Sequence, residues 1–291
     1  MSALSSELSK FFITPGAHEL PPRIRVLTTT RVLPGATGEN FGASEGIARQ
    51  LSGWPPTSHL QGTALESTFA QYGHALSLVL PTPPLWLQQV HGNGVAMVDR
   101  DTDAAAVRQT PPTADAAVTR VPNAVLAILT ADCLPVVIAH ENASALAAAH
   151  AGWRSLAGGI LENTVRHLVA VSSSSAASLT AWLGPAIGPT AFEVGEDVYA
   201  AFDTMNDDEA ATRFVPTGVP GKWYADLAAL ARLRLRRLGI SKISGGTWCT
   251  YSDAQRFFSY RRQRDEGRMA TLAWIQGSEV RGQKSDISFE P

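Results

Sequence analysis

The chain is short of charge. Asp, Glu, Lys and Arg make up 17% of its 291 residues, and 24 basic against 26 acidic side chains leave a net charge of −2. A surface for DNA or RNA normally needs a basic excess, so nucleic acid is not an expected partner. Cysteine is nearly absent, with only Cys133 and Cys249. That count excludes a disulfide-built scaffold and fits reduced thiols. No stretch reaches the ~18 uninterrupted apolar residues of a membrane span. Residues 1–21 show no basic segment followed by an apolar run, so no secretory signal is read there. A cytoplasmic protein with no membrane partner is expected. Repeats of fixed period are also missing, which argues against solenoids and propellers.

Apolar residues, by contrast, make up 45% of the chain, enough at this length for the core of one large domain. Residues 1–22, ending in Pro21-Pro22, read as a loose N-terminal arm, residues 23–277 as a single domain and residues 278–291 as a C-terminal tail. Strands are predicted over 23–30, 85–90, 94–98, 124–131, 134–140, 143–150 and 180–183, several as continuous apolar runs buried on both faces. The glycine-rich stretch 34–46 and residues 101–113 read as loops, and 257–260 is aromatic and strand-like. Helices are predicted over 156–171, 196–205 and 223–238; in the last, Leu227, Leu230, Ala231, Leu235 and Leu238 share one face. Strands and helices mix without strict alternation, which gives an α+β fold with mixed β-sheets.

Three short segments interrupt this pattern with reactive side chains: Gln89-Val90-His91-Gly92, Ala131-Asp132-Cys133-Leu134 and His150-Ala151-Gly152-Trp153-Arg154. Taken singly, each has an ordinary structural explanation. A buried cysteine is usually a small hydrophobe, and an aspartate before a turn is often a cap. Taken together, two imidazoles and a thiolate suit zinc, and three protein ligands leave one position open for water or substrate. The same residues also suit a nucleophile, with His91 or His150 activating Cys133. Arg154, at a predicted helix entry, suits an anion. Arg31 and Arg261, the latter beside Tyr260, are further candidates for binding phosphate or stacking on a base.

The motifs QVHG (89–92), TADCLPV (130–136), AAHAGWR (148–154), LGPAIGP (183–189), FEVG (192–195), CTY (249–251) and FFSYRR (257–262) together resemble the bacterial laccase-domain family. That family is also described as multi-copper polyphenol oxidase-like and as a purine nucleoside phosphorylase family. The resemblance runs from about residue 26 to residue 275. It implies a four-layer α-β-β-α arrangement with the site at one end of the sheets, and zinc held by His91, Cys133 and His150. The implied catalytic group is Cys133, His91, His150 and Arg154; the expected substrate-binding residues are Arg31, Asn40, Tyr260 and Arg261. Implied activities are phosphorolysis of adenosine, inosine and methylthioadenosine, with purine nucleoside and phosphate as partners, and deamination of adenosine. Alternatives are copper-dependent oxidation of phenols, a Cys-His hydrolase acting on peptidoglycan precursors, and a non-catalytic metal-binding module. Against the oxidase stand four methionines, seven histidines and no His-x-His pair, few ligands for several copper centres. A monomer or small homo-oligomer is expected. The chain departs from the family at Ser155, where a glycine is usual, and at Ser44, where a histidine is usual, while Asn40 and Gly42 match.

Overall fold

Apolar runs buried on two faces at once call for layers on both sides, and two stacked sheets supply them. The computed structural model describes residues 11–32, 76, 79–203, 205–264 and 267–277. The glycine-rich stretch with Asn40 and Ser44, and the tail 278–291, lie outside the described residues. In chain order the elements are β1 (Phe12–Ile13), β2 (Ile24–Thr29), β3 (Val95–Val98), α1 (Ala104–Gln109), β4 (Ala116–Thr119), β5 (Leu126–Thr130), β6 (Leu134–His140), β7 (Leu146–Ala151), α2 (Trp153–Ala157) and α3 (Ile160–Ser172). They continue with β8 (Leu179–Leu183), β9 (Glu193–Val194), α4 (Glu196–Ala201), α5 (Asp208–Ala211), β10 (Phe214–Pro216), β11 (Trp223–Ala225), α6 (Leu227–Arg237), β12 (Lys242–Gly245) and β13 (Met269–Ile275).

A six-stranded sheet runs β12-β8-β6-β7-β4-β3, parallel at its two ends and antiparallel between. A four-stranded antiparallel sheet runs β1-β2-β13-β5, and a small one runs β10-β11-β9. Strand β6 shows why both large sheets form. Its side chains alternate, so Leu134, Val136 and Ile138 join the core under the helices, while Val137 and Ala139 join the core between the sheets. Val26, Leu126, Ile128 and Ala273 come from the four-stranded sheet to meet the latter. On the other face α3 lays down Ile160, Leu161, Val165 and Leu168. Each such aliphatic side chain contributes about 1.5–3 kcal/mol when fully buried. Phe11, Leu27, Leu76, Trp86 and Leu272 cluster on the outer face of the four-stranded sheet.

Several expectations need correction. The arm is not loose throughout, because Phe12 and Ile13 pair with Thr29 and Thr28, and Phe11 is wholly buried. Residues 101–113 contain α1, whose start is held by Asp103 accepting from Ala106 N–H. Residues 223–225 are strand, and α6 begins only at Leu227, where Asp226 accepts from Ala229 N–H at 2.8 Å. Residues 85–90 form no strand of their own. Leu85 bridges to Leu126 of β5, and Gln88 bridges to Thr113 in the segment that leads into β4. That straddling path delivers His91 to the seam between the sheets.

Candidate metal centre

His91, Cys133 and His150 arrive from three segments and meet. Their ligand atoms all lie within 4.8 Å of one another, and among the described residues they are the one group of three or more such side chains able to hold a metal ion. Cys133 Sγ is 3.9 Å from His91 Nε2. The two imidazoles stand edge to face, with centroids 4.8 Å apart. His150 is buried and His91 exposed.

Each position has a local cause. Gln89 uses its side-chain amide as a strand would use its backbone: Nε2 donates to Leu129 O at 2.9 Å, and Oε1 accepts from Leu129 N–H at 2.8 Å. This ties the approach to His91 onto the open edge of β5. Cys133 follows Asp132, whose left-handed backbone (φ 85) turns the chain sharply between β5 and β6. The Asp132 carboxylate accepts from Thr250 Oγ1 at 2.6 Å, Ser259 Oγ at 3.0 Å and Arg261 N–H at 2.7 Å. It is therefore a latch on the 250–261 segment, turned away from the cleft. His150 lies near the end of β7, and Gly152 comes two residues later. A methyl group on Gly152 would lie 2.8 Å from Cys133 Sγ and 3.3 Å from His91 Cδ2, so only hydrogen fits there.

The residue that sequence reasoning missed is Asp115. It is wholly buried, accepts from the backbone N–H groups of Val90, His91 and Gly92, and lies 2.8 Å from His150 Nδ1. Burial pushes its carboxyl upward, but the His150 and Gly92 hydrogen bonds outweigh this and hold it below the usual range. An ionised carboxylate only accepts, so Nδ1 of His150 carries the proton and Nε2 is left as the ligand nitrogen. One signal was available in the sequence: an aspartate set in the otherwise apolar run 114–118 must find buried donors.

The thiol and imidazole reinforce each other. Burial raises Cys133, yet the charge and hydrogen bonds of His150, with those of His91, bring it down to about 6. Burial lowers His150, yet Cys133 and Asp115 lift it to about 9. Both shifts favour the thiolate and imidazolium forms, the pairing that a Cys-His nucleophile also uses.

These groups form one wall of a cleft of about 550 Å³, which Gln88, Leu129, Ala131, Arg154, Tyr260 and Arg268 help to line. Arg154 holds its guanidinium 4.2 Å from the Trp153 ring centroid. Tyr260 has Arg264 and Arg268 each 5.7 Å from its ring centroid. Arg31 and Arg261 do not line this cleft. Arg31 donates to Ala254 O, and Arg261 to Glu193 O with its guanidinium over Phe192. Both are tied to backbone carbonyls outside it. Asn40 lies outside the described residues. Arg268, which no motif marked, takes a place at the cleft instead.

The sequence profile described as multi-copper polyphenol oxidoreductase laccase matches residues 65–276. The chain belongs to this laccase family. Among its relatives is a purine nucleoside phosphorylase of Xylella fastidiosa (strain 9a5c), 49% identical over 262 residues, which are 88% of this chain and 94% of that one. Purine nucleoside phosphorylase YfiH of Escherichia coli (strain K12) is 43% identical over 196 residues, 67% and 75% of the two chains. A solved Neisseria meningitidis protein superposes with a TM-score of 0.74 at 38% identity, over 92% of this chain and all (100%) of its own. YlmD from Geobacillus stearothermophilus gives 0.72 at 26% identity, over 91% and 96%. The laccase-family fold is thus a single-domain mix of helices with mixed and antiparallel sheets. Ser155 is wholly buried in α2.

Proposed function

We propose that this chain is a zinc-dependent purine nucleoside phosphorylase acting on adenosine, inosine and methylthioadenosine, and that it also deaminates adenosine. The observation that carries this reading is the convergence of His91, Cys133 and His150 in a cleft that also presents Arg154 and Arg268. The names of the relatives at 49% and 43% identity support it. A volume of about 550 Å³ lies within the usual range for small-molecule sites. The donor set fits zinc, because two imidazole nitrogens and a thiolate are its common ligands and a fourth position stays open. Zinc held by His91, Cys133 and His150 would supply a Lewis acid at the cleft wall.

In phosphorolysis a phosphate oxygen bonds to C1′ of the ribose as the bond from C1′ to the base breaks, and the base leaves with a proton. Arg154 and Arg268 hold the phosphate charge; stacking on Trp153 limits the freedom of Arg154 before substrate arrives. Leu129 and Ala131 offer an apolar wall to the purine. Asp115 keeps the proton on His150 Nδ1. Deamination uses the same cleft with water in place of phosphate, attacking the purine carbon that carries the amino group and releasing ammonia.

Copper-dependent oxidation of phenols is the second reading, favoured by the profile's description and by a two-His, one-Cys donor set. Metal analysis of protein purified without added copper separates the two, since stoichiometric copper would favour the oxidase. For phosphorolysis the decisive test is wild-type protein with adenosine and phosphate. Adenine and ribose 1-phosphate are the expected products, with inosine from the deaminase reaction, and Cys133→Ala should make none. A wild type that forms neither, or a Cys133→Ala variant of equal rate, defeats the proposal.

A further inference from the structure

We infer that Asp115 is a positioning residue that sets both histidines of the centre at once, which rests on reading His91, Cys133 and His150 as metal ligands. Asp115 immediately precedes β4 and is wholly buried, where a carboxylate is costly unless its lone pairs are used. Here they are used. Oδ1 accepts from His91 N–H at 3.0 Å and from His150 Nδ1 at 2.8 Å; Oδ2 accepts from Gly92 N–H at 2.7 Å and Val90 N–H at 3.2 Å.

Every one of these partners is a donor, so an amide NH₂ cannot replace an oxygen without facing another N–H. Three consecutive backbone N–H groups closing on one anion form a nest, a concavity that needs a left-handed residue in it. His91, with φ 59, is that residue. A non-glycine side chain is held in this region only when its surroundings require it. The carboxylate supplies the requirement. The same oxygen that fixes the backbone beneath His91 also fixes the ring of His150. In addition, the backbone carbonyl of Asp115 accepts from His150 N–H at 2.7 Å, so the strand carrying the second ligand is anchored to the residue that shapes the first. Loss of Asp115 therefore disturbs two ligands together.

The test compares Co²⁺ binding by metal-free wild type, Asp115→Asn, His91→Ala and the double variant, using competition with a chromophoric chelator and circular dichroism to confirm folding. Asp115→Asn is expected to lower affinity about 10- to 100-fold, the usual reach of a residue that supports a ligand. In the His91→Ala background its effect is smaller, because part of it acts through His91. Unchanged affinity in Asp115→Asn, or losses that simply add, overturns the inference. A wild type that binds no Co²⁺ refutes the metal-centre reading instead. If the variant fails to fold, long-range ¹H–¹⁵N spectra of wild type decide: a proton on His150 Nδ1 supports the assignment, and a proton on Nε2 alone overturns it.

Discussion

Two Thr-Ala-Asp tripeptides, at 113–115 and 130–132, end in carboxylates buried for opposite purposes. Asp115 gathers the histidine segment, and Asp132 gathers the segment carrying Thr250, Ser259 and Arg261. The sequence marks Asp132 through its neighbour Cys133 and Asp115 only through its place in an apolar run, and neither mark says which donors each carboxylate gathers. His91, Cys133 and His150 stand out only as a set, because each taken singly has an ordinary structural reading and it is the motifs around them that link the three. Where Arg31 and Arg261 point is not legible in the sequence, because a guanidinium's direction depends on which carbonyls lie nearby, and those carbonyls come from distant residues. At this scale Gly152 makes a sharp prediction. The Cβ of Gly152→Ala would press on Cys133 Sγ and His91 Cδ2. The variant is expected to fold while losing most of its bound metal, as read by metal content per chain and circular dichroism. Wild-type stoichiometry would show that the site yields more easily than its distances imply.

Among the elements, helix starts carry much of the detail. The apolar stripe 227–238 was visible, but its first turn was placed too early. Trp223 and Tyr224 pair in β11, and Asp226 caps α6 one residue before the helix begins. The strand-like run 85–90 makes only isolated bridges, Leu85 to Leu126 and Gln88 to Thr113, because its partners lie in two different parts of the chain, a fact no local pattern encodes. Helix α5 offers a pH test. Asp207 caps it by accepting from Ala210 N–H and pairs with Arg237. The Arg237 hydrogen bonds, and then the Ala210 N–H, hold its carboxyl below the ordinary range. A lowered folded value means that the stabilisation is complete above the unfolded value of about 4 and is lost as pH falls below it. Asp207→Ala should cost about 1 kcal/mol at pH 7, mostly through the cap, because the ion pair is solvent-screened. Urea midpoints at pH 7 and pH 3 should show the gap narrowing at the lower pH; a gap that widens would contradict this.

Edges matter as much as ends. Arg232 of α6 donates to Ile243 O and to Gly245 O, covering outward carbonyls of edge strand β12. Arg232→Ala should lower stability by about 1–2 kcal/mol and shift light-scattering mass toward larger species. An unchanged mass distribution would mean that the edge is protected by other means.

For the whole molecule, the candidate metal centre joins the segment after residues 85–90, the turn between β5 and β6 and the end of β7, so metal binding there should register as global stability. Metal at about 100 times its Kd adds about 2.7 kcal/mol, which for a chain of this size is roughly 4–5 °C in Tm. Chelation should lower Tm by that amount in wild type and leave Cys133→Ala unmoved. Equal shifts in both would place the responsible metal elsewhere. That 134–140 is a strand buried on both faces was legible from its continuous apolar run, whereas strand order was not, because pairing partners lie far apart in the chain. Among the described residues no helix is long and apolar enough to cross a membrane.

The place of β13 between β2 and β5 also has a consequence for synthesis. A ribosome releases this chain N-terminus first. All six strands of the larger sheet are therefore made while β2 and β5 still wait for the strand that joins them. Until residues 269–275 emerge, the nascent protein carries two bare strand edges beside a nearly finished partner sheet. Truncation upstream of Met269 should thus yield a sticky, chaperone-dependent fragment rather than a slightly shorter enzyme.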